Sequence, residues 1–230
     1  NTWLIPEEEI FDGGPGKDGI PSVDNPQFSS TSSIDYMNDN DLIVGVKFGD
    51  EIRGYTHPVL DWHEIVNDDW NNYHMALTYC PLTGTAIAWD REIDGGISEF
   101  GVSGLLYNTN LIPYDRKTNS NWSQIQMKCV NGRLEGTEIN TFQSIEMTWA
   151  TWKEMFPDSK VITTNTGIDR PYGSYPYISS SGSDYRTSNS FLLFPVNPRD
   201  DRLPGKERVL GVLVDGNVRA YQFSHFENEE

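Results

Sequence analysis

Apolar and polar positions first acquire a period at Leu42-Ile43-Val44-Gly45-Val46-Lys47-Phe48, which reads as a β-strand. Gly49-Asp50 supplies a turn and Ile52-Arg53-Gly54-Tyr55 returns, so a hairpin is predicted. From His57 to Val66, the residues Val59, Trp62, His63 and Val66 share one helical face, which predicts one or two helical turns. His74–Tyr79 and Thr85–Trp89 read as strands joined by Cys80-Pro81-Leu82-Thr83-Gly84. Further short strands are expected over 97–105, 110–114, 124–130 and 160–164. The clearest helix runs from Thr148 to Phe156, with Trp149, Trp152, Lys153 and Phe156 at helical spacing and Pro157 as its stop. Residues 1–41, dense in Gly, Pro, Ser and Thr, are expected to form an irregular N-terminal arm packed on the domain. A second turn-rich stretch, 165–190, reads as a long loop.

Two segments resemble each other. Residues 44–60, VGVKFGDEIRGYTHPVL, align without gaps to 210–226, LGVLVDGNVRAYQFSHF, and Gly45/Gly211, Val46/Val212, Arg53/Arg219 and Tyr55/Tyr221 are identical. Both place a turn midway, and Asp215-Gly216 is a favoured two-residue hairpin turn. The expected fold is therefore mainly β (β-rich α+β). It would be a single compact domain over 42–230 that contains two related β-hairpin units and a few short helices. The second unit stops before any equivalent of His63 or Cys80, so the native chain is expected to extend beyond Glu230.

Composition narrows the function classes. Thirty-four Asp and Glu against 17 Lys and Arg give a net charge of −17, which repels a phosphate backbone, and no basic patch offsets it; nucleic-acid binding is not expected. Seven Trp, 11 Tyr and 10 Phe are far too many for an acidic disordered chain. No apolar run approaches the length of a spanning helix. The chain begins Asn1-Thr2-Trp3 without Met, which suits a removed signal peptide or lipoprotein leader. Abundant Asn, Ser, Thr, Gly and Tyr with scarce Lys agree with an extracellular or cell-envelope location, where an envelope or extracellular protein partner is the natural expectation.

Candidate chemistry gathers around His57, His63, His74 and Cys80. The segments GGPGKDGIPSVDNPQF, RGYTHPVLDWHEIVND, LTYCPLTGTAIAWDR, FGVSGLLYNTNLIPYDR, GIDRPYGSYPY and DDRLPGKERVLGV resemble domain-of-unknown-function family 3179 over nearly the whole chain. That resemblance implies a prokaryotic, exported or lipid-anchored protein with no activity to carry over. The family's hallmark reads Tyr-Cys-Pro-Leu-Cys, whereas this chain has Tyr79-Cys80-Pro81-Leu82-Thr83. Thr83 removes both the vicinal dithiol and the two-sulfur knuckle that such a motif offers a metal.

Two readings of Cys80 stand. In the first, Cys80 is a free thiolate with a hydrogen bond from Thr83 and His63 as its base, or it joins His63 and His74 around copper or zinc, ligands of the right type for either ion. Calcium at Asp39-Asn40-Asp41, Asp68-Asp69 or Asp200-Asp201 is a weaker candidate, and those acids read better as solvated faces. In the second, Cys80 is buried or paired with Cys129 in a disulfide, as an even cysteine count in an exported protein suggests. His63 reads slightly better as a histidine satisfied by internal hydrogen bonds than as a base, and His57 and His225 as surface residues.

Two features suit binding. Tyr172, Tyr175 and Tyr177 lie in a Gly/Pro loop and offer either aromatic contact surface or cover for the core beneath. Arg91 and Arg116 each follow an aromatic-Asp pair at a strand end, where they fix turns or line a pocket as anion-binding forks. Function thus divides between a thiol, redox or metal centre at Cys80 and a non-catalytic binding or structural module; the small ligand is unassigned.

Overall fold

The structure is a computed structural model in which residues 2–225 are described. Asn1 and residues 226–230 lie outside it, as do the last aligned residue, Phe226, and any continuation past Glu230. The chain divides into two compact units, Asn1–Pro176 and Tyr177–Glu230, each taken by itself.

Strands β1 (Ile10–Asp12), β2 (Val23–Asp24) and β3 (Phe28–Ser30) come from the N-terminal arm. The hairpin β4 (Leu42–Phe48) and β5 (Glu51–Thr56) runs into helix α1 (His57–His63). Then come β6 (Ile65–Trp70), β7 (Tyr73–Cys80), β8 (Thr85–Asp90), β9 (Glu92–Ile93) and β10 (Gly96–Ile97). β11 (Phe100–Tyr107), β12 (Asn110–Asp115), β13 (Asn121–Ser123) and β14 (Lys128–Asn131) follow in succession. β15 (Ser144–Thr148), α2 (Trp149–Met155) and β16 (Lys160–Ile162) close the first unit, and β17 (Val209–Val214) and β18 (Asn217–Gln222) form the hairpin of the second. The mainly β expectation holds.

Beside the two-stranded β9–β10 ribbon, three larger sheets build the first unit, in the orders β1-β11-β12-β13-β14, β2-β6-β7-β8 and β15-β4-β5-β16-β3. The second of these is the middle layer, and strand periodicity explains why. Successive side chains on a strand point to opposite faces. On β7, Met75, Leu77 and Tyr79 join Val44, Val46, Phe48 and Tyr55 in one core, whereas Ala76 and Cys80 join Phe100, Val102, Leu111, Trp122 and Cys129 in another. A strand covered on both faces is apolar on both, as Met75, Ala76, Leu77, Tyr79 and Cys80 are on β7, with the buried Thr78 the polar residue among them.

Outside these layers, α2 covers the far face of the β4–β5 sheet through Trp149 and Trp152, packed with Ile43 and Val161. Thr148 caps this helix by accepting a hydrogen bond from the Thr151 amide at 3.3 Å. Gly45 and Gly54 let the Trp152 indole lie flat on the sheet: a Cβ at either position would come within 2.6 Å and 2.9 Å of the ring. The arm is irregular for most of its length, yet it gives one edge strand to each of the three sheets.

The two hairpins have the same register. Val44↔Tyr55, Gly45↔Gly54 and Val46↔Arg53 in the first correspond to Leu210↔Tyr221, Gly211↔Ala220 and Val212↔Arg219 in the second. A helical turn begins directly after each, at His57 and at Phe223. Asp215 and Gly216 both adopt positive φ, as a two-residue type I′ turn requires. No helix among the described residues is long and apolar enough to cross a membrane.

Candidate functional site

Cys80 ends β7, and the turn to β8 closes with the Thr83 amide donating to the Cys80 carbonyl at 3.3 Å. The side chain is 1% exposed and its thiol donates to the Thr109 carbonyl at 3.5 Å. Burial pushes the thiol pKa up and the Glu64 charge adds to it; hydrogen bonds from the Thr83 side chain, the Thr83 amide and the Leu82 amide act against these and are outweighed. The Cys-x-x-Thr arrangement therefore forms as a hydrogen-bonded turn, in a setting where burial favours the thiol over the thiolate. Cys129 lies in the same core, donates to the Asn131 carbonyl, and has its pKa pushed up to about 11, chiefly by burial. Both cysteines are free, and no disulfide joins them.

His63, at the end of α1, has both ring nitrogens engaged: Nδ1 with the Pro21 carbonyl at 2.7 Å and Nε2 with the Tyr172 hydroxyl at 2.6 Å. The carbonyl can only accept, so Nδ1 carries the proton and Nε2 accepts from Tyr172. Burial lowers the His63 pKa despite the Pro21 contact, and the Arg170 charge lowers it further, so the ring is neutral. This is a histidine satisfied by internal hydrogen bonds. Tyr172 is thereby turned inward, packed against the core of the first unit, while the Trp62 indole holds the same loop through the Ser174 carbonyl at 3.0 Å. Tyr175 and Tyr177 are likewise half-buried, so at Tyr172 the loop covers its own core.

Sequence reasoning missed a polar face on α1. His57, Asp61 and Glu64 recur at helical spacing and all are buried. His57, expected at the surface, instead packs its ring 4.7 Å from that of Tyr79, and its Nδ1 meets the Tyr79 hydroxyl at 3.1 Å. Its Nε2 lies 3.7 Å from Glu146. The i, i+4, i+7 spacing was the available signal, concealed because the apolar residues Val59, Trp62 and Val66 set a competing face. Glu64 also carries positive φ at the helix C-cap, and its carbonyl accepts from the Tyr79 amide at 2.6 Å.

His63, His74 and Cys80 do not converge on a common point: each has its own partners. Among the described residues no group of three or more His, Cys, Asp or Glu side chains is arranged to hold a metal ion. Of Asp68-Asp69, expected as a solvated acidic face, Asp69 is exposed but Asp68 is not. Asp68 is buried and receives both the Arg53 guanidinium, at 2.6 Å, and the Tyr55 hydroxyl, at 2.6 Å. Asp69 pairs with His74 and with Arg91, each at 2.5 Å.

Arg91 and Arg116, by contrast, come together. They line one open pocket of about 460 Å³ with Asp69, His74, Ile97, Ser98, Glu99 and Lys117. Backbone bonds place them there: the Arg91 amide donates to the His74 carbonyl, the Ser98 amide to the Arg91 carbonyl, and the Arg116 amide to the Glu99 carbonyl. Neither arginine pairs with the Asp preceding it. Neighbours on an extended chain point opposite ways, so Asp90 accepts from the Glu92 amide and Asp115 from the Thr118 amide and the Trp122 indole. Arg116 pairs instead with Asp24 at 2.8 Å and Glu99 at 2.7 Å. His74 and Ser98 share this pocket but form no nucleophile pair, because the Ser98 hydroxyl donates to the Glu99 carbonyl and accepts from the Lys117 amide.

Residues 17–230 match the family model described as "Protein of unknown function (DUF3179)". No curated protein and no solved structure matches the chain.

Proposed function

The chain belongs to the DUF3179 family, and we propose that it is a non-catalytic binding or structural module of the cell exterior or envelope, with Cys80 a packing residue. The observation that carries this reading is the state of Cys80. It sits between two sheets, its proton is held towards the Thr109 carbonyl, and burial raises its pKa. A working thiol needs the opposite, an exposed electropositive setting that favours the thiolate. Thr83, exposed on the turn, offers no second sulfur to resolve an oxidised one. The acidic, Lys-poor composition supports the location. Matching hairpin registers support reading residues 44–60 and 210–226 as copies of one unit.

The test is exposure of the native protein to oxidised glutathione, followed by intact-mass measurement. The expected result is no mixed disulfide at Cys80 until denaturant is added. Stoichiometric glutathionylation of Cys80 in the folded protein would overturn the reading and restore the thiol centre.

A further inference from the structure

The pocket between the β6–β7 edge and the segment 97–99 gathers basic side chains in an acidic chain. Three fixed cations, Arg91, Arg116 and Lys117, face two carboxylates, Asp69 and Glu99, in a chain whose acids outnumber its bases 34 to 17. These carboxylates are committed, Asp69 to His74 and Arg91 and Glu99 to Arg116, and Asp24 beside the pocket is committed to Arg116 as well. Of the cations, only Lys117 is not used up in return: among the described residues its ammonium has no ion-pair partner, whereas Arg91 is held by Asp69 and Arg116 by Asp24 and Glu99. An exposed ammonium beside two fixed guanidinium groups is a donor that a ligand oxygen can reach. Nδ1 of His74 is held by Asp69, which leaves Nε2 as the ring's remaining polar atom.

From this geometry we infer that the pocket binds a small oxyanion-bearing solute, one carrying a phosphoryl or carboxylate group, with Lys117 as its principal donor and the Arg91 and Arg116 charges beside it. The volume of about 460 Å³ falls within the range of small-molecule sites. An extended polyanion is excluded by the same charges that make the pocket stand out. Local attraction fades over roughly 10 Å at moderate salt, and anything longer meets the acidic surface. The inference deepens the binding-module reading and fails separately from it, because occupancy of this pocket and modification of Cys80 are independent readouts.

The experiment is calorimetric titration of the full chain with inorganic phosphate and, separately, succinate, at low ionic strength. The expected result is saturable one-site binding of at least one of the two. Tighter phosphate marks a phosphoryl ligand and tighter succinate a carboxylate; either supports the site. Lys117→Gln, at an exposed position, is expected to weaken binding by about tenfold or more. Lys117→Arg should restore it, and Lys47→Gln, which removes the same charge outside the pocket, should leave it unchanged. No saturable binding of either anion up to about 10 mM overturns the proposal, since a dissociation constant weaker than that is under about 3 kcal/mol of affinity. Equal weakening by Lys117→Gln and Lys47→Gln also overturns it, because bulk charge would then explain the heat.

Discussion

Replacing Arg53 with Met tests the packing between the middle sheet and the hairpin sheet. The guanidinium donates to both Asp68 oxygens, at 2.7 Å and 2.6 Å, and lies 3.8 Å from the centroid of Trp70 and 4.4 Å from that of Phe28. Met keeps part of the aliphatic stem but leaves Asp68 buried without a cation, held only by the neutral Tyr55 hydroxyl and the Asp69 amide. Removing one partner of a buried pair costs about 3–5 kcal/mol, much of it from the stranded charge. With a urea slope of about 1–3 kcal/mol per molar, the unfolding midpoint should fall by at least about 1 M. Acid should shrink the penalty. Burial already raises the Asp68 pKa against the opposing Arg53 and Tyr55 hydrogen bonds, and without Arg53 it rises further. The folded variant then binds more protons than the unfolded chain, so its stability falls as pH rises above the unfolded value of about 3.9 and recovers on acidification. Urea titrations by tryptophan fluorescence at pH 7 and pH 5, wild type against variant, read the difference. Substituting Asp68→Leu alongside should recover most of the loss, since an apolar pair of similar volume replaces a buried ion pair at little cost. A penalty below about 1 kcal/mol, one independent of pH, or a double variant no better than the single would refute this reasoning. Arg219→Met, at the matching position of the second hairpin where the arginine is exposed, should change stability by less than about 0.5 kcal/mol.

Gly45→Ala should destabilise by about 1–3 kcal/mol by forcing the Trp152 ring aside, whereas Gly211→Ala, with no atom within 4 Å of the added carbon, should be tolerated; thermal melts of both variants decide. Because the His63 pKa is lowered by burial, the unfolded chain binds the extra proton first. The stability this ring contributes is complete above about pH 6.5 and is lost as pH falls through its folded value, a dependence that His63→Gln should flatten in denaturation curves. At pH 7.5, Tyr172→Phe should cost about 1–3 kcal/mol by leaving His63 Nε2 without its donor; no change in the urea midpoint would contradict that contact.

Elements with a period of their own were legible in the sequence. Val44, Val46 and Phe48 alternate with positions facing α2, and the β4–β5 hairpin formed where the alternation placed it. Trp149 and Trp152 marked α2 in the same way. The two- and three-residue strands of the arm, β1 to β3, are too short to carry a period, and pairing with longer strands defines them. The buried face of α1 escaped notice because its polar residues also follow helical spacing, and the sequence does not say which face turns inward. Arg91 and Arg116 were visible as a repeated aromatic-Asp-Arg pattern, but their meeting in one pocket depends on strand register, which joins residues far apart in the chain. Burial of Cys80 follows from the β11–β12 sheet stacking on the middle sheet; the apolar stretch of β7 hints that both faces are covered, but not by which residues.

The central claim, that Cys80 is a packing residue, is tested most directly by the pH dependence of its alkylation rate in the folded protein. The account predicts that native Cys80 labels only through unfolding, orders of magnitude slower than in denaturant, and without a thiolate titration below the ordinary cysteine value of about 8.5. Rapid labelling of folded protein with a midpoint below that value would contradict it.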